Sequence, residues 1–171
     1  GATAGIGREF AEQLAGRGYD LLLVARDGAR LADTAAALTA AHGVRAEALA
    51  ADLTRDDDVT LLAGRLGSSP ELAMLVNNAG FGSRGRLADA DAERQAAMVR
   101  LHTLAPMRLA RAALPVLLAN RAGAIVNVSS VAGFLYSAGN ANYCATKAYL
   151  TTLSEGLAAE LHGTGVLVQA L

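Results

Sequence analysis

The chain has 171 residues, of which 53% are hydrophobic and 18% are charged, and its formal net charge is −1. This length fits one domain with a sizeable core, and the composition is not that of a disordered chain. The nearly balanced charge excludes the strongly basic surface typical of nucleic-acid-binding proteins, and no apolar run is long enough to cross a membrane.

Short apolar runs alternate with amphipathic stretches along the chain. The predicted strands are residues 20–25, 44–50, 72–77, 124–128 and 165–171. The predicted helices are residues 5–17, 27–41, 55–66, 91–119 and 142–162. Continuous apolar strands need cover on both faces, and strand–helix alternation gives right-handed crossovers. The sequence therefore predicts a doubly wound, parallel α/β sheet of the Rossmann type, formed by a single domain over residues 1–171.

A glycine-rich segment, Gly1 to Gly7, opens the chain before the first predicted helix. Its glycines allow a tight turn and bring a ligand close to the helix N-terminus, where free N–H groups favour a pyrophosphate. The spacing is GxxxGxG, which differs from the usual GxGxxG, and a plain glycine turn would give the same pattern. Such a loop should follow a strand. Since nothing precedes Gly1, we expect that the first strand of the fold is missing.

Arg26 stands 19 residues after Gly7, at the end of the first predicted strand. Dinucleotide sites often place an acidic residue about 20 positions after the glycines to hold the ribose 2′-hydroxyl, whereas an arginine suits a 2′-phosphate. Arg26 therefore favours NADP(H). The neighbouring Asp27 keeps NAD(H) as the alternative, and an exposed charged pair would look the same.

Two further motifs follow predicted strands. Asp52 and Leu53 come after the second, where the carboxylate could reach an adenine amino group or, with Thr54, cap the next helix. Asn77 to Gly80 end the third. Their small residues let the backbone approach a flat ligand, and the asparagines can hold neighbouring strands in register, although each motif alone is a turn signal.

Tyr143 and Lys147 are four residues apart on the last predicted helix and therefore share one face. An ammonium close to a phenol favours the ionised form, which would let Tyr143 exchange protons with a substrate. Ser130 lies 13 residues before Tyr143 and could bond the same substrate oxygen. Together they indicate carbonyl/alcohol redox chemistry. Tyrosine and lysine at this spacing also occur on ordinary exposed helices.

Taken together, these motifs resemble the short-chain dehydrogenase/reductase family in residue type, order and separation. The motifs that carry the resemblance are the GxxxGIG loop, Asp52-Leu53, Asn77-Asn78-Ala79-Gly80, Ser130 and Tyr143-xxx-Lys147. The resemblance covers the whole chain, and several segments are similar to bacterial 3-ketoacyl and hydroxysteroid reductases. It implies an NADP(H)-dependent oxidoreductase that interconverts a ketone or aldehyde and an alcohol.

The resemblance also implies roles for single residues. Tyr143 is the general acid in reduction, Lys147 holds the nicotinamide ribose, and Ser130 orients the carbonyl. The family usually has an asparagine that holds a proton-relay water where this chain has His102. A histidine there could still hold the water, or could itself transfer protons because it titrates near neutrality, or could be a tolerated helix residue. Besides Tyr143 and Lys147, the implied cofactor-binding residues are Gly1, Thr3, Gly5, Ile6, Gly7, Arg26, Asp52, Leu53, Asn77, Ala79 and Gly80, and no metal is implied.

Both ends of the family's pattern are absent here: the first strand, and the elements after Leu171 that shape the substrate pocket. We therefore expect a fragment that does not turn over by itself, from an intact protein that does. By resemblance, the full-length protein forms a homodimer or homotetramer through its long helices.

The expected substrate is a small carbonyl or alcohol, with Phe81, Phe134, Leu135 and Tyr136 suggesting an apolar one. We expect no nucleic-acid or membrane partner. The single cysteine, Cys144, excludes an intrachain disulfide and fits a reducing compartment, so the expected location is the cytoplasm. Two alternatives stay open. A non-catalytic nucleotide sensor would keep the fold, and a sugar-nucleotide epimerase or dehydratase would share the Tyr–Lys pair, although the glycine loop counts against the latter.

Overall fold

The structure, a computed structural model, describes residues 1–171 and divides into two compact units, Gly1–Asp52 and Leu53–Leu171. The first unit contains, in chain order, α1 (Gly5–Gly16), β1 (Leu21–Ala25), α2 (Gly28–His42) and β2 (Ala46–Ala50). The two strands pair in parallel. Small and aliphatic side chains from the helices and strands form its core, in which Leu31 is fully buried.

The second unit carries a three-stranded parallel sheet. Its strands are β3 (Met74–Asn77), β4 (Gly123–Asn127) and β5 (Val166–Ala170). Its helices are α3 (Asp56–Gly67), α4 (Ala92–Val99), α5 (Ala105–Asn120) and α6 (Ala141–Glu160). Strand β4 lies between β3 and β5. Ile125 of β4 and Leu117 of α5 are fully buried, so the core of this unit lies against the central strand.

The predicted fold class is confirmed: strands and helices alternate, and every strand pair is parallel. Whether the two units form one domain stays a prediction. Each predicted strand and helix occurs in the structure, with ends shifted by at most a few residues. None of the helices combines the length and apolarity that crossing a membrane requires.

The predicted helix 91–119 is not continuous, because a π-helical turn, Arg100–Leu104, separates α4 from α5. Pro106 has no N–H and cannot donate to the carbonyl of His102 four residues back. The N–H of Ala105 instead bonds the carbonyl of Arg100, five residues back. Such π turns often occur at functional sites, and this one carries His102.

Candidate active site

Tyr143 and Lys147 lie one turn apart near the start of α6. Lys147 Nζ is 5.7 Å from the centroid of the Tyr143 ring and donates a 2.7 Å hydrogen bond to the carbonyl oxygen of Val128, just after β4. The side chain is buried, and burial lowers the pKa of Lys147 below its usual value. Lys147 is also the only lysine in the sequence. The structure therefore places one buried amine beside the phenol ring and ties it to the end of β4.

The two serines after β4 have different surroundings. The hydroxyl of Ser129 is buried, donates to the carbonyl of Lys147 (2.9 Å) and lies 2.8 Å from Thr151 Oγ1. Ser130 Oγ is half-buried and accepts a 3.1 Å bond from the N–H of Ala132. That bond uses a lone pair, so the hydroxyl proton of Ser130 remains for another acceptor. Ser129 thus fastens the strand end to α6, and Ser130 has a proton to offer.

A short 3₁₀ turn, Val131–Phe134, follows Ser130 and packs directly on α6. A Cβ atom on Gly133 would lie 2.9 Å from the carbonyl carbon of Lys147 and 3.0 Å from its oxygen. Because these are backbone atoms inside a helix, they cannot move aside. Only glycine allows the Ser130 turn to approach the Lys147 backbone this closely.

We therefore expect Gly133→Ala to reduce the free energy of unfolding by about 1–3 kcal/mol, the usual effect of an added methyl in a close contact. Turnover should fall as well, because displacing the turn moves Ser130. Gly156→Ala in α6 is the matched control: nothing lies within 4 Å of its Cβ position, so it should stabilise by up to about 1 kcal/mol. Denaturant unfolding measures both variants, and equal effects would contradict the close contact.

A buried amide network joins the sheet to α6. Asn77 Nδ2 donates to Asn127 Oδ1 (2.8 Å), and Asn127 Nδ2 donates to Ser154 Oγ (2.9 Å). Asn77 and Asn127 are direct partners in the β3–β4 register, so this asparagine does connect neighbouring strands. Asn127 and Ser154 were not among the predicted site residues. The available signal was a lone asparagine at the end of an apolar strand.

His102 is 1% exposed, and protein groups contact both of its ring nitrogens. The N–H of Phe81 donates to Nε2 (3.1 Å), and Nδ1 lies 3.0 Å from Thr146 Oγ1. We expected a histidine that titrates near neutrality. Instead, burial and, secondarily, the charge of Lys147 lower the pKa of His102 to about 4. The ring is therefore neutral near pH 7, and a role of His102 in a proton relay stays a prediction.

Two cavities open on the surface of the second unit beside these residues. One, of about 360 Å³, includes Ser130, Val131, Phe134 and Val168 in its walls. The other, of about 380 Å³, is lined by Gly82, Ser83, Arg84, Asn140 and Tyr143. Ser130 thus lines the first cavity and Tyr143 the second.

In the first unit, the glycine-rich loop leads into α1, which begins at Gly5. Gly5 has φ +52°, a conformation that other residues rarely adopt. The N-cap residue Ala4 offers no side-chain acceptor, and the first turn contains no acidic residue. The N–H of Ala2 donates to the carbonyl of Val24 (3.3 Å), which holds the loop beside the end of β1. An uncapped helix N-terminus without carboxylates suits an anion.

Arg26 and Asp27 follow β1 in the same unit, and their side chains have different surroundings. The carboxylate of Asp27 accepts a 3.0 Å bond from the N–H of Arg30 and caps α2. Arg26 is exposed. Asp27 therefore caps α2, and the Arg26 side chain is exposed at the end of β1.

The remaining predicted cofactor residues are divided between the units. Asp52 ends the first unit and Leu53 begins the second. The N-cap residue of α3 is Arg55, whose own side chain makes no capping bond. Asn77 ends β3, and Ala79 and Gly80 follow it in the second unit.

The short chain dehydrogenase family model matches residues 1–171. The chain is 36% identical to the very-long-chain 3-oxoacyl-CoA reductase of Laccaria bicolor, an alignment that covers 100% of this chain and 52% of the relative. It superposes with a TM-score of 0.96 on a short-chain dehydrogenase from Sphingobium yanoikuyae in complex with NADPH (45% identity; 99% of this chain, 66% of that one). It also superposes with a TM-score of 0.96 on a bulky-bulky ketone specific alcohol dehydrogenase from Comamonas testosteroni, with 39% identity over 99% of this chain and 68% of that one. The chain spans about half the length of the curated relatives that it matches first.

Proposed function

The chain belongs to the short-chain dehydrogenase family of oxidoreductases, and on that premise we propose that the protein interconverts a ketone or aldehyde and an alcohol with NADP(H). The observation that carries the proposal is the buried Lys147 amine, 5.7 Å from the Tyr143 ring, on the helix to which the Ser130 strand end is fastened. Lysines are rarely buried unless they are paired with an acidic group. A buried lysine beside a phenol therefore indicates a functional site better than it indicates an ordinary surface lysine.

The chemical roles follow from the groups present. Ser130 has a hydroxyl proton to donate to a substrate carbonyl oxygen, which fixes the carbonyl and stabilises charge as it builds there. Tyr143 gives its phenolic proton to the same oxygen during reduction and takes it back during oxidation. The ammonium of Lys147 stabilises the negative charge left on the phenol oxygen. When bound, NADPH supplies the hydride.

The first unit fits the phosphates of such a cofactor. Gly1, Thr3, Gly5, Ile6 and Gly7 would hold the pyrophosphate, since the N-terminus of α1 lacks both a side-chain cap and carboxylates. Asp52 would contact the adenine. In the second unit, Leu53, Asn77, Ala79 and Gly80 would flank the adenosine, and Lys147 would bond the nicotinamide ribose. The Sphingobium neighbour is in complex with NADPH, which supports NADP(H) over NAD(H).

Arg26 is the proposed selector for the 2′-phosphate. We expect Arg26→Ser to weaken NADPH binding by about 10- to 100-fold and to leave NADH binding unchanged, because only NADPH has the charge-assisted hydrogen bond to lose. Arg17→Ser is the matched control. It removes the same charge from the C-terminal end of α1, the end away from the glycine-rich loop. Fluorescence titration with both nucleotides gives the dissociation constants. Equal losses for NADPH and NADH would contradict the assignment.

An apolar carbonyl compound fits the surface after Ser130. Val131, Phe134, Leu135 and Tyr136 are all exposed, and two of them line the cavity that Ser130 shares. Both a long-chain 3-oxoacyl reductase and a bulky-ketone dehydrogenase are among the similar proteins. Assembly into a homodimer or homotetramer stays a prediction, for which exposed apolar side chains on α5 and α6, such as Leu118 and Tyr149, offer support.

The test is NADPH consumption by the protein encoded by the complete reading frame, with a panel of bulky ketones, quinones and 3-oxoacyl thioesters. Consumption that requires the ketone supports a reductase. Binding of NADPH without consumption across the whole panel would favour the sensor alternative, and product formation without net consumption would favour the epimerase. Failure of the intact protein to bind either nucleotide would refute the assignment.

A further inference from the structure

His102 makes a fixed set of hydrogen bonds between three elements of the second unit. Its ring sits on the π turn and receives the N–H of Phe81, from the loop after β3, at Nε2 (3.1 Å). On its other side, Nδ1 lies 3.0 Å from Thr146 Oγ1 of α6. Thr146 Oγ1 in turn donates to the carbonyl oxygen of Tyr143 (2.9 Å). The histidine therefore connects a loop to the backbone of the tyrosine itself.

The donors along this path allow one protonation state of the ring. A threonine hydroxyl has one proton, and Thr146 gives it to the carbonyl of Tyr143, so Thr146 Oγ1 must accept from Nδ1–H. The N–H of Phe81 can donate to Nε2 only if that nitrogen carries no proton. His102 is thus the neutral, Nδ1-protonated imidazole. In a protonated ring, the Nε2–H donor would face the N–H donor of Phe81, and the two would repel each other.

The packing around the ring independently favours a fixed histidine. A Cβ atom on Gly80 would lie 2.9 Å from Nε2, so the loop reaches the ring only because residue 80 is glycine. The ring centroids of Phe81 and His102 are 5.8 Å apart, with the ring planes inclined by 59°. The ring centroids of Tyr143 and His102 are also 5.8 Å apart, in an edge-to-face arrangement. Burial opposes protonation of the ring most strongly, and the positive charge of Lys147 adds to that effect and lowers the pKa of His102 further.

We propose that His102 is a positioning residue: through Thr146 it fixes the turn of α6 that carries Tyr143, and it transfers no proton during the reaction. The proposal depends on the function proposed for Tyr143, but the hydrogen-bonding state of the ring does not. His102 would then occupy the helix position of the family's relay asparagine and do different work there. Thr146, between Tyr143 and Lys147, shares that task.

The first test is long-range ¹H–¹⁵N NMR of the histidine side chains, with His102 identified by the signals lost in His102→Phe. We expect an Nδ1-protonated, neutral ring that does not change between about pH 8 and about pH 5, where an ordinary histidine titrates. An Nε2-protonated ring, or a titration midpoint in that range, would overturn the proposal. This readout does not depend on catalytic activity.

The second test compares Thr146→Val, which removes the hydroxyl at nearly constant volume, with Thr146→Ser, which keeps it. With the active protein from the complete reading frame, we expect Thr146→Val to lower kcat by on the order of 10- to 100-fold, as for a slightly misplaced catalytic group. Thr146→Ser should recover most of the rate, and the midpoints of the pH–rate profile should be the same in both. A Thr146→Val enzyme as fast as Thr146→Ser would overturn the proposal.

His102→Phe separates positioning from proton transfer, because it keeps a ring and removes both nitrogens. We expect a lower kcat with the wild-type midpoints retained; loss of a midpoint near neutrality would identify a relay and overturn the proposal. If the wild-type protein reduces no carbonyl compound at all, the proposed function has failed, and the NMR result alone then decides the state of His102.

Discussion

Replacing Tyr143 with phenylalanine should lower kcat by on the order of 10²- to 10⁴-fold, the usual contribution of a general acid, while NADPH still binds. The substitution removes one oxygen and keeps the ring, so the edge contact with His102 and the position over Lys147 Nζ remain. The carbonyl oxygen that bonds Thr146 belongs to the backbone and is also retained. The loss should therefore come from chemistry and not from folding.

Tyr149→Phe is the control for that variant, because it removes the same oxygen from a more exposed tyrosine on the same helix. Steady-state kinetics give kcat, and fluorescence titration gives the affinity for NADPH. We expect Tyr149→Phe to match the wild type in both. A Tyr143→Phe enzyme with wild-type kcat would refute the role of Tyr143, and loss of NADPH binding would indicate that the phenol oxygen serves the cofactor.

Replacing Lys147 with methionine should reduce turnover by on the order of 10²-fold or more, because it removes the cation that stabilises charge beside Tyr143. It also leaves the carbonyl of Val128 without its 2.7 Å bond. Lys147→Arg keeps the charge, but a planar guanidinium must then fit a site where the lysine is only 6% exposed. We expect Lys147→Arg to be nearly as slow as Lys147→Met. Wild-type rates in the methionine variant would contradict the proposed role.

The environment of Lys147 can be measured directly in this chain, since it contains no other lysine. One side-chain Nζ signal in NMR reports its titration without assignment. Burial lowers the pKa of Lys147, so its midpoint should lie below the usual 10.5. In the native state the amine loses its charge at lower pH than an exposed lysine does. A midpoint at or above 10.5 would mean that the amine is in water.

Much of the fold was predictable because local patterns determine it. Five apolar runs and the amphipathic stretches between them gave every strand and helix, since burial on both faces of a parallel sheet leaves a continuous apolar signal. The break in helix 91–119 was harder to see. Its cause, Pro106, is visible in the sequence, but the π turn before it depends on how the backbone accommodates the missing N–H.

The candidate site was predictable in its residue types and not in its contacts. Sequence spacing singled out Ser130, and the structure adds the physical difference: the hydroxyl of Ser129 is consumed by the backbone of α6. The buried state of His102 depends on Phe81 and Thr146, which are distant in sequence. Tertiary contacts of this kind set the charge of a side chain, and a motif does not reveal them.

Hydride transfer is the central claim, and isotope transfer tests it most directly. The protein from the complete reading frame would be incubated with a bulky ketone and NADPH in which both hydrogens of the hydride-donating carbon are replaced by deuterium. Mass spectrometry of the alcohol should find one deuterium on the carbinol carbon in the wild-type product, and Tyr143→Phe should form the labelled alcohol on the order of 10²- to 10⁴-fold more slowly. An alcohol without the label, or labelled alcohol formed equally well by Tyr143→Phe, would contradict the account.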